Sequence, residues 1–237
     1  MSFPTTAWSI FEEAGSSDRA EATAALNRFI VGYWQPIYGF LRAKTHSHET
    51  AEELTQEFFL KLLEHNWLQR ADATRGRFRN YLLTILTRFV ADHRGQRLPK
   101  QAHFDASLVP VSVLVRDDGK SFEPRQDESP EQEFMRRWAK SLVEEVTGKL
   151  EAWCRSQGRP DWYEIFKAQH FPTAETDKPT QQTIAAACRC SRDQVRYALE
   201  QTGEQFGRLF RAAVATQVDC EEDVEAEIRE IEQLLSP

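Results

Sequence analysis

Three sets of side chains stand at spacings that could do chemical work. Glu53, Gln56 and Glu57 fall at i, i+3 and i+4, which puts them on one helix face as a continuous polar surface able to clamp a basic partner. An ordinary solvated face has the same pattern. Arg75, Arg77 and Arg79 are interleaved with Phe78 and Tyr81, setting cations for a phosphate backbone beside rings on which unstacked bases could lie, as single-stranded nucleic acid requires. Asn80, Thr84 and Arg88 follow at four-residue steps and share a helix face. The plainer alternative sinks Phe78 and Tyr81 into a core and leaves the arginines as solubilising charge. The third set, Ser191, Arg192, Gln194, Arg196 and Tyr197, opens a helix after a tight turn. Arg suits guanine edges and Gln suits adenine in a major groove, while Asp193, Glu200 and Glu204 dilute the charge of this helix.

Other reactive residue types form no recognisable site. Cys154, Cys188, Cys190 and Cys220 are too few and too irregular for a disulfide framework. Cys188 and Cys190 lack the further ligands of a structural zinc site, so all four are read as reduced thiols. His46 and His48 read as polar surface. With no nucleophile–base pairing and no glycine-rich phosphate loop, the sequence predicts neither catalysis nor a cofactor or metal.

The net charge of −7 at first argues against a nucleic-acid partner. Its distribution reverses that: between Asp219 and Pro237 eight acids face Arg229 alone, so this tail carries the whole excess. Between Arg70 and Lys100, eight basic residues face Asp72 and Asp92, a local balance of +6. No apolar run approaches the roughly 20 residues of a bilayer span, and no leader is evident at Met1. A cytoplasmic protein without membrane insertion is expected.

The elements that must position these groups read as helices. One runs from a cap at Asp18 towards Lys44, where Pro36 should kink or split it. A second spans Glu49 to about His65, burying Ala51, Leu54, Phe58 and Leu62. A third spans Phe78 to about His93, burying Leu82, Ile85, Leu86, Phe89 and Val90. Residues 98–129 read as a linker, with one apolar run, Leu108 to Val115, that could form a short strand. Helical periodicity returns at Pro130 and passes through Phe134, Trp138, Leu142, Val146 and Leu150. A short helix follows from Asp161 to Phe171, then another from Thr180 to Cys188. A tight turn leads from there to a helix capped by Ser191. Arg189 occupies a left-handed turn position at a cost of about 1 kcal/mol, and Gly203 should weaken the last of these helices by about 1 kcal/mol, enough to bend or break it.

The strings ETAEELTQEFFLKLLE and GRFRNYLLTILTRFVADHRG together resemble region two of the extracytoplasmic-function sigma factors. TIAAACRCSRDQVRYALEQ is similar to their region-four helix-turn-helix, and PEQEFMRRWAKSLVEEV with the acidic tail looks like the longer, planctomycete-like members. The resemblance implies an all-α fold of two small helical domains, a region-two bundle and a region-four helix-turn-helix, joined by a linker and followed by a C-terminal acidic helix. The boundaries are 18–97, 98–129, 130–217 with the helix-turn-helix at 180–200, and 218–237. It implies core RNA polymerase and promoter DNA as partners, with an anti-sigma protein as a further candidate. Glu53, Gln56 and Glu57 take the polymerase role; Arg75, Arg77, Arg79, Asn80, Tyr81, Thr84 and Arg88 take the minus-ten DNA; Ser191, Arg192, Gln194, Arg196 and Tyr197 take the minus-thirty-five element. Two rivals stand beside this reading: a sigma-derived regulator that no longer reads promoters, and a helix-turn-helix repressor. The tail, apolar along Val224, Ile228, Ile231 and Leu235, is expected to fold over the C-terminal domain.

Overall fold

The computed structural model describes residues 19–65, 67, 77–93, 128–171, 179–218 and 220–236. Among these the regular structure is entirely helical. Asp18, the linker with its expected strand, and Arg70, Arg75, Arg94, Arg97 and Lys100 lie outside them. The chain divides into two compact units: residues 1–142 with 215–237, and residues 143–214.

In the first unit, α1 (Arg19–Thr45) and α2 (His48–Glu64) form a helical hairpin. Its link is His46, at φ +55°, and Ser47, whose side chain accepts from the Thr50 amide at 3.3 Å and caps α2. Of the kink or split expected at Pro36, the split does not occur, and α1 is continuous through it. Proline in a helix interior costs about 3 kcal/mol. Tyr33, Trp34, Ile37, Phe40 and Leu41 are all sealed in the core around it, and full burial of one such side chain is worth about 1.5–3 kcal/mol. Packing therefore overrides the break.

The third helix, α3 (Phe78–His93), closes the bundle. Phe78 meets Phe29 and Tyr33 edge-on with centroids 5.9 and 5.6 Å apart. Trp34 stacks on Phe59 at 5.6 Å, and Phe58 meets Phe89 edge-on at 5.3 Å. Each aromatic pair adds about 0.5–1.5 kcal/mol beyond the area it buries.

The fourth helix, α4 (Pro130–Ser156), starts with a reciprocal cap. Gln132 N donates to Ser129 Oγ at 3.1 Å, and Ser129 N donates to Gln132 Oε1 at 2.8 Å. Its residues to Leu142 belong to the first unit, whereas the sequence suggested that a second domain begins at Pro130. Phe134 and Trp138 are the reason, being fully buried there. So is Gly39, where an added Cβ would fall on the Arg137 side chain.

The second unit combines the rest of α4 with α5 (Pro160–His170), α6 (Gln181–Cys188) and α7 (Arg192–Ala215). Its core holds Leu150, Cys154, Trp162, Ile165, Phe166, Ile184, Val195 and Ala198, with Cys188 and Cys190 packed against it. Arg189 adopts the expected left-handed conformation, φ 53° and ψ 44°, between α6 and α7. The break expected at Gly203 is absent. Buried Val195, Ala198 and Thr202, with the Phe206 ring tilted against Phe166 at a centroid distance of 5.3 Å, hold α7 in one piece.

After α7 the chain returns to the first unit through a 3-10 turn, Glu221–Asp223, and α8 (Val224–Leu235). The expected placement of this tail over the C-terminal domain is thereby corrected. Val224 and Ile231 are buried in the first unit, and Glu227 and Glu230 of α8 pair with Arg77, just before α3, and with Arg79 in its first turn.

Candidate nucleic-acid interface

The outward face of α3 carries Asn80, Thr84, Thr87 and Arg88, all exposed, while Leu82, Leu86 and Phe89 face inward. Ile85 and Val90, expected inward, are half-buried. Thr84 and Thr87 donate their hydroxyl protons back to the carbonyls of Asn80 and Leu83, both at 2.8 Å, which orients their oxygens along the helix surface. The result is an amide, two hydroxyls and a guanidinium over two and a half turns, about 12 Å of helix. Thr87 was not singled out from the sequence. Its i+3 relation to Thr84 is the signal that places it on this face.

The start of α3 has a different environment. Phe78 is buried in the aromatic core and offers no stacking surface. Tyr81 is half-buried, and its hydroxyl donates to the Trp67 carbonyl at 2.7 Å. Arg79 is only 3% exposed, its guanidinium lying 4.3 Å over the Trp138 ring. Glu227 Oε1 sits 2.6 Å from Arg79 Nη1, and its Oε2 lies 2.8 Å from Arg77 Nη2. Glu230 accepts from Arg79 Nη2 at 3.1 Å and also pairs with Arg77. Burial would raise the Glu230 carboxyl, but the hydrogen bond from Arg77 and the two guanidinium charges outweigh it and hold the group below its ordinary range. Arg75 lies outside the described residues.

On α2, Glu53 is exposed whereas Gln56 and Glu57 are half-buried. Glu57 is committed internally: its carboxylate lies 2.8 Å from His93 Nε2 and 3.0 Å from Lys61 Nζ. Burial works against its charge, but the His93 and Lys61 hydrogen bonds prevail and keep it below the usual glutamate value. The trio is thus one exposed acid flanked by two partly covered groups. His48, expected to be simple surface, accepts from or donates to Tyr38 Oη at 2.7 Å and helps fix the α1–α2 corner.

In the second unit, Ser191, Arg192, Gln194, Arg196 and Tyr197 are all exposed on the first turns of α7. Ser191 and Gln194 form a capping box: Gln194 N donates to Ser191 Oγ at 3.2 Å and Ser191 N donates to Gln194 Oε1 at 2.8 Å. That engages the acceptor Gln194 would need for bidentate adenine contact. Arg196 pairs with Asp193 at 3.3 Å, and the Tyr197 ring meets Trp162 edge-on at 5.7 Å. Among the described residues Arg192, also exposed at the helix start, has no ion-pair partner.

Among the described residues no helix is long and apolar enough to cross a membrane, and no group of three or more His, Cys, Asp or Glu is arranged to hold a metal ion. Residues 30–97, the α1–α3 bundle with its connecting segments, match the family Sigma-70 region 2. The match supports a sigma-factor kinship and a role in promoter recognition for that domain. No curated protein and no solved structure matches the chain.

Proposed function

We propose that the chain is a sigma factor of the extracytoplasmic-function type, a polymerase subunit that selects promoters and starts transcription in the cytoplasm, while the polymerase performs the chemistry. The observation that carries the reading is the outward face of α3, where Asn80, Thr84, Thr87 and Arg88 lie exposed within the stretch that matches Sigma-70 region 2. An amide and hydroxyls can read the edges of extruded bases while Arg88 holds the backbone. In this reading Glu53, with Gln56 and the rim of Glu57, docks on a basic surface of core polymerase. The exposed start of α7, led by Arg192, meets duplex DNA upstream at the minus-thirty-five element. The acidic C-terminal helix favours kinship with the longer members of that group.

A second reading, a sigma-derived regulator that binds polymerase without starting transcription, is favoured by the pairing of Arg77, Arg79 and Arg196 with acids of the same chain. Reconstitution with core polymerase on a genomic promoter library separates the two. Transcripts with defined starts, absent with core alone, support the sigma factor. Polymerase binding without transcripts supports the regulator, and no polymerase binding sinks both.

A further inference from the structure

We propose that α8 and the phosphodiester backbone of a melted promoter strand compete for Arg77 and Arg79, so that the C-terminal helix is an intramolecular occupant of the strand-binding site. The inference rests on the reading of α3 as the face that meets single-stranded DNA.

Four observations carry it. First, Glu227 and Glu230 stand at i, i+3 on α8, and both carboxylates meet both guanidiniums. Two anions facing two arginines in this way occupy the positions that phosphate oxygens would take. Second, Arg77 continues the proposed DNA face: Asn80 N donates to Arg77 O at 3.0 Å, so a strand tracking from Arg88 past Thr84 and Asn80 arrives next at Arg77, with Arg79 buried behind it. Third, the 3-10 turn presents exposed Glu221, Glu222 and Asp223, and α8 presents exposed Glu225 and Glu232. Their field repels a polyanion approaching the same end of α3.

Fourth, the docking is built to be reversible. Arg79 Nε is buried without a hydrogen-bond partner among the described residues, and the Glu227 oxygens face the guanidiniums at ion-pair distance without hydrogen-bond alignment. A partly satisfied buried pair leaves its partners open to a better ligand. Only Val224, Glu227 and Ile231 of α8 are fully buried, Leu235 is 39% exposed, and at 12 residues the helix is too short to persist once undocked. Release therefore gains chain entropy, which lowers the cost of opening.

Occupancy by α8 reduces apparent DNA affinity by the fraction of molecules in which the arginines are free. The test uses the full chain and a fluorescein-labelled single-stranded DNA of about 15 nucleotides with randomised sequence. Anisotropy is combined with hydrogen exchange across 224–235. Removing residues 219–237 is expected to tighten binding about tenfold, as for a tail docked about 90% of the time, and Glu230→Gln to tighten it by a smaller factor. Saturating DNA is expected to abolish the exchange protection of α8 in the wild-type chain.

Unchanged affinity in the truncated chain, with α1–α3 still protected, overturns the proposal. So does an α8 that stays protected at saturating DNA. Should truncation loosen α1–α3, the rim variant Glu230→Gln decides, and unchanged affinity there is equally fatal. Arg88→Ala, remote in sequence from the paired arginines, tests the underlying reading. If it weakens binding while the tail changes have no effect, the competition alone fails. If it leaves binding unchanged, the DNA face itself is wrong and the competition falls with it.

Discussion

Glu227 and Arg79 form an ion pair at 2.6 Å with side-chain exposures of 0% and 3%, linking the C-terminal helix to the helix that carries the proposed DNA face. Removing Arg79 leaves the buried Glu227 with Arg77 alone, at a cost towards the lower end of the about 3–5 kcal/mol of a stranded buried charge. Arg79→Ala is therefore expected to lower the urea midpoint by that equivalent. The double substitution Arg79→Met with Glu227→Leu should recover most of the loss, because neither charge then remains buried. Equal destabilisation by the single and double variants would contradict the pairing.

Gly39 is a close-approach position. A Cβ there meets the Arg137 side chain, which is held by Glu133 and by Gln35 Oε1 at 3.3 Å, so it has little room to yield. Overpacking costs about 1–3 kcal/mol, against about 1 kcal/mol of helix propensity gained by alanine. Gly39→Ala should cost a net of up to about 2 kcal/mol in equilibrium unfolding. In an Arg137→Ala background the same change should become neutral or stabilising.

Acid should undock α8, and only acid. Glu230 titrates below its ordinary value of 4.5, so its contribution is fully present above that value and is lost as pH falls through the depressed one. Among the described residues the charges paired with Glu227 and Glu230 are arginines, with no histidine between them. Exchange protection of α8, corrected for intrinsic rates, should be flat from about pH 6 to pH 8 and fall only below about pH 4. Loss of protection near neutrality would refute this origin.

The two acids of α2 should behave differently. Glu53→Lys reverses an exposed charge and is expected to weaken core-polymerase binding at least about tenfold with little change in stability. Glu57→Lys should also destabilise the bundle, since it faces His93 and Lys61 with a third cation. Surface plasmon resonance beside thermal melts distinguishes them: a Glu53→Lys chain that binds as wild type removes Glu53 from the interface.

The sequence already contained most of the bundle. Ala51, Leu54, Phe58 and Leu62 mark the buried stripe of α2, and the exposed line Asn80, Thr84, Arg88 follows from four-residue spacing. Local rules failed where long-range packing outweighed them: Pro36 and Gly203 break helices by propensity, yet both lie in helices pinned by buried neighbours. The fate of Arg77 and Arg79 was hidden for another reason. Their partners are about 150 positions downstream, and an i, i+3 pair of glutamates beside Val224 and Ile231 shows that α8 has a docking face but not where it docks. Gln194 was legible in principle, since Ser191 followed three residues later by Gln is a capping box as well as a recognition pattern.

The proposed capture of the melted strand by the exposed face of α3 is open to measurement at the start of transcription. Permanganate reactivity of thymines on a promoter recovered from the library, with core polymerase and the wild-type chain, measures it most directly. The expected result is a reactive patch about ten base pairs upstream of the start, dependent on the chain and lost with Asn80→Ala plus Arg88→Ala while polymerase binding persists. A patch of equal strength with that double variant would contradict it.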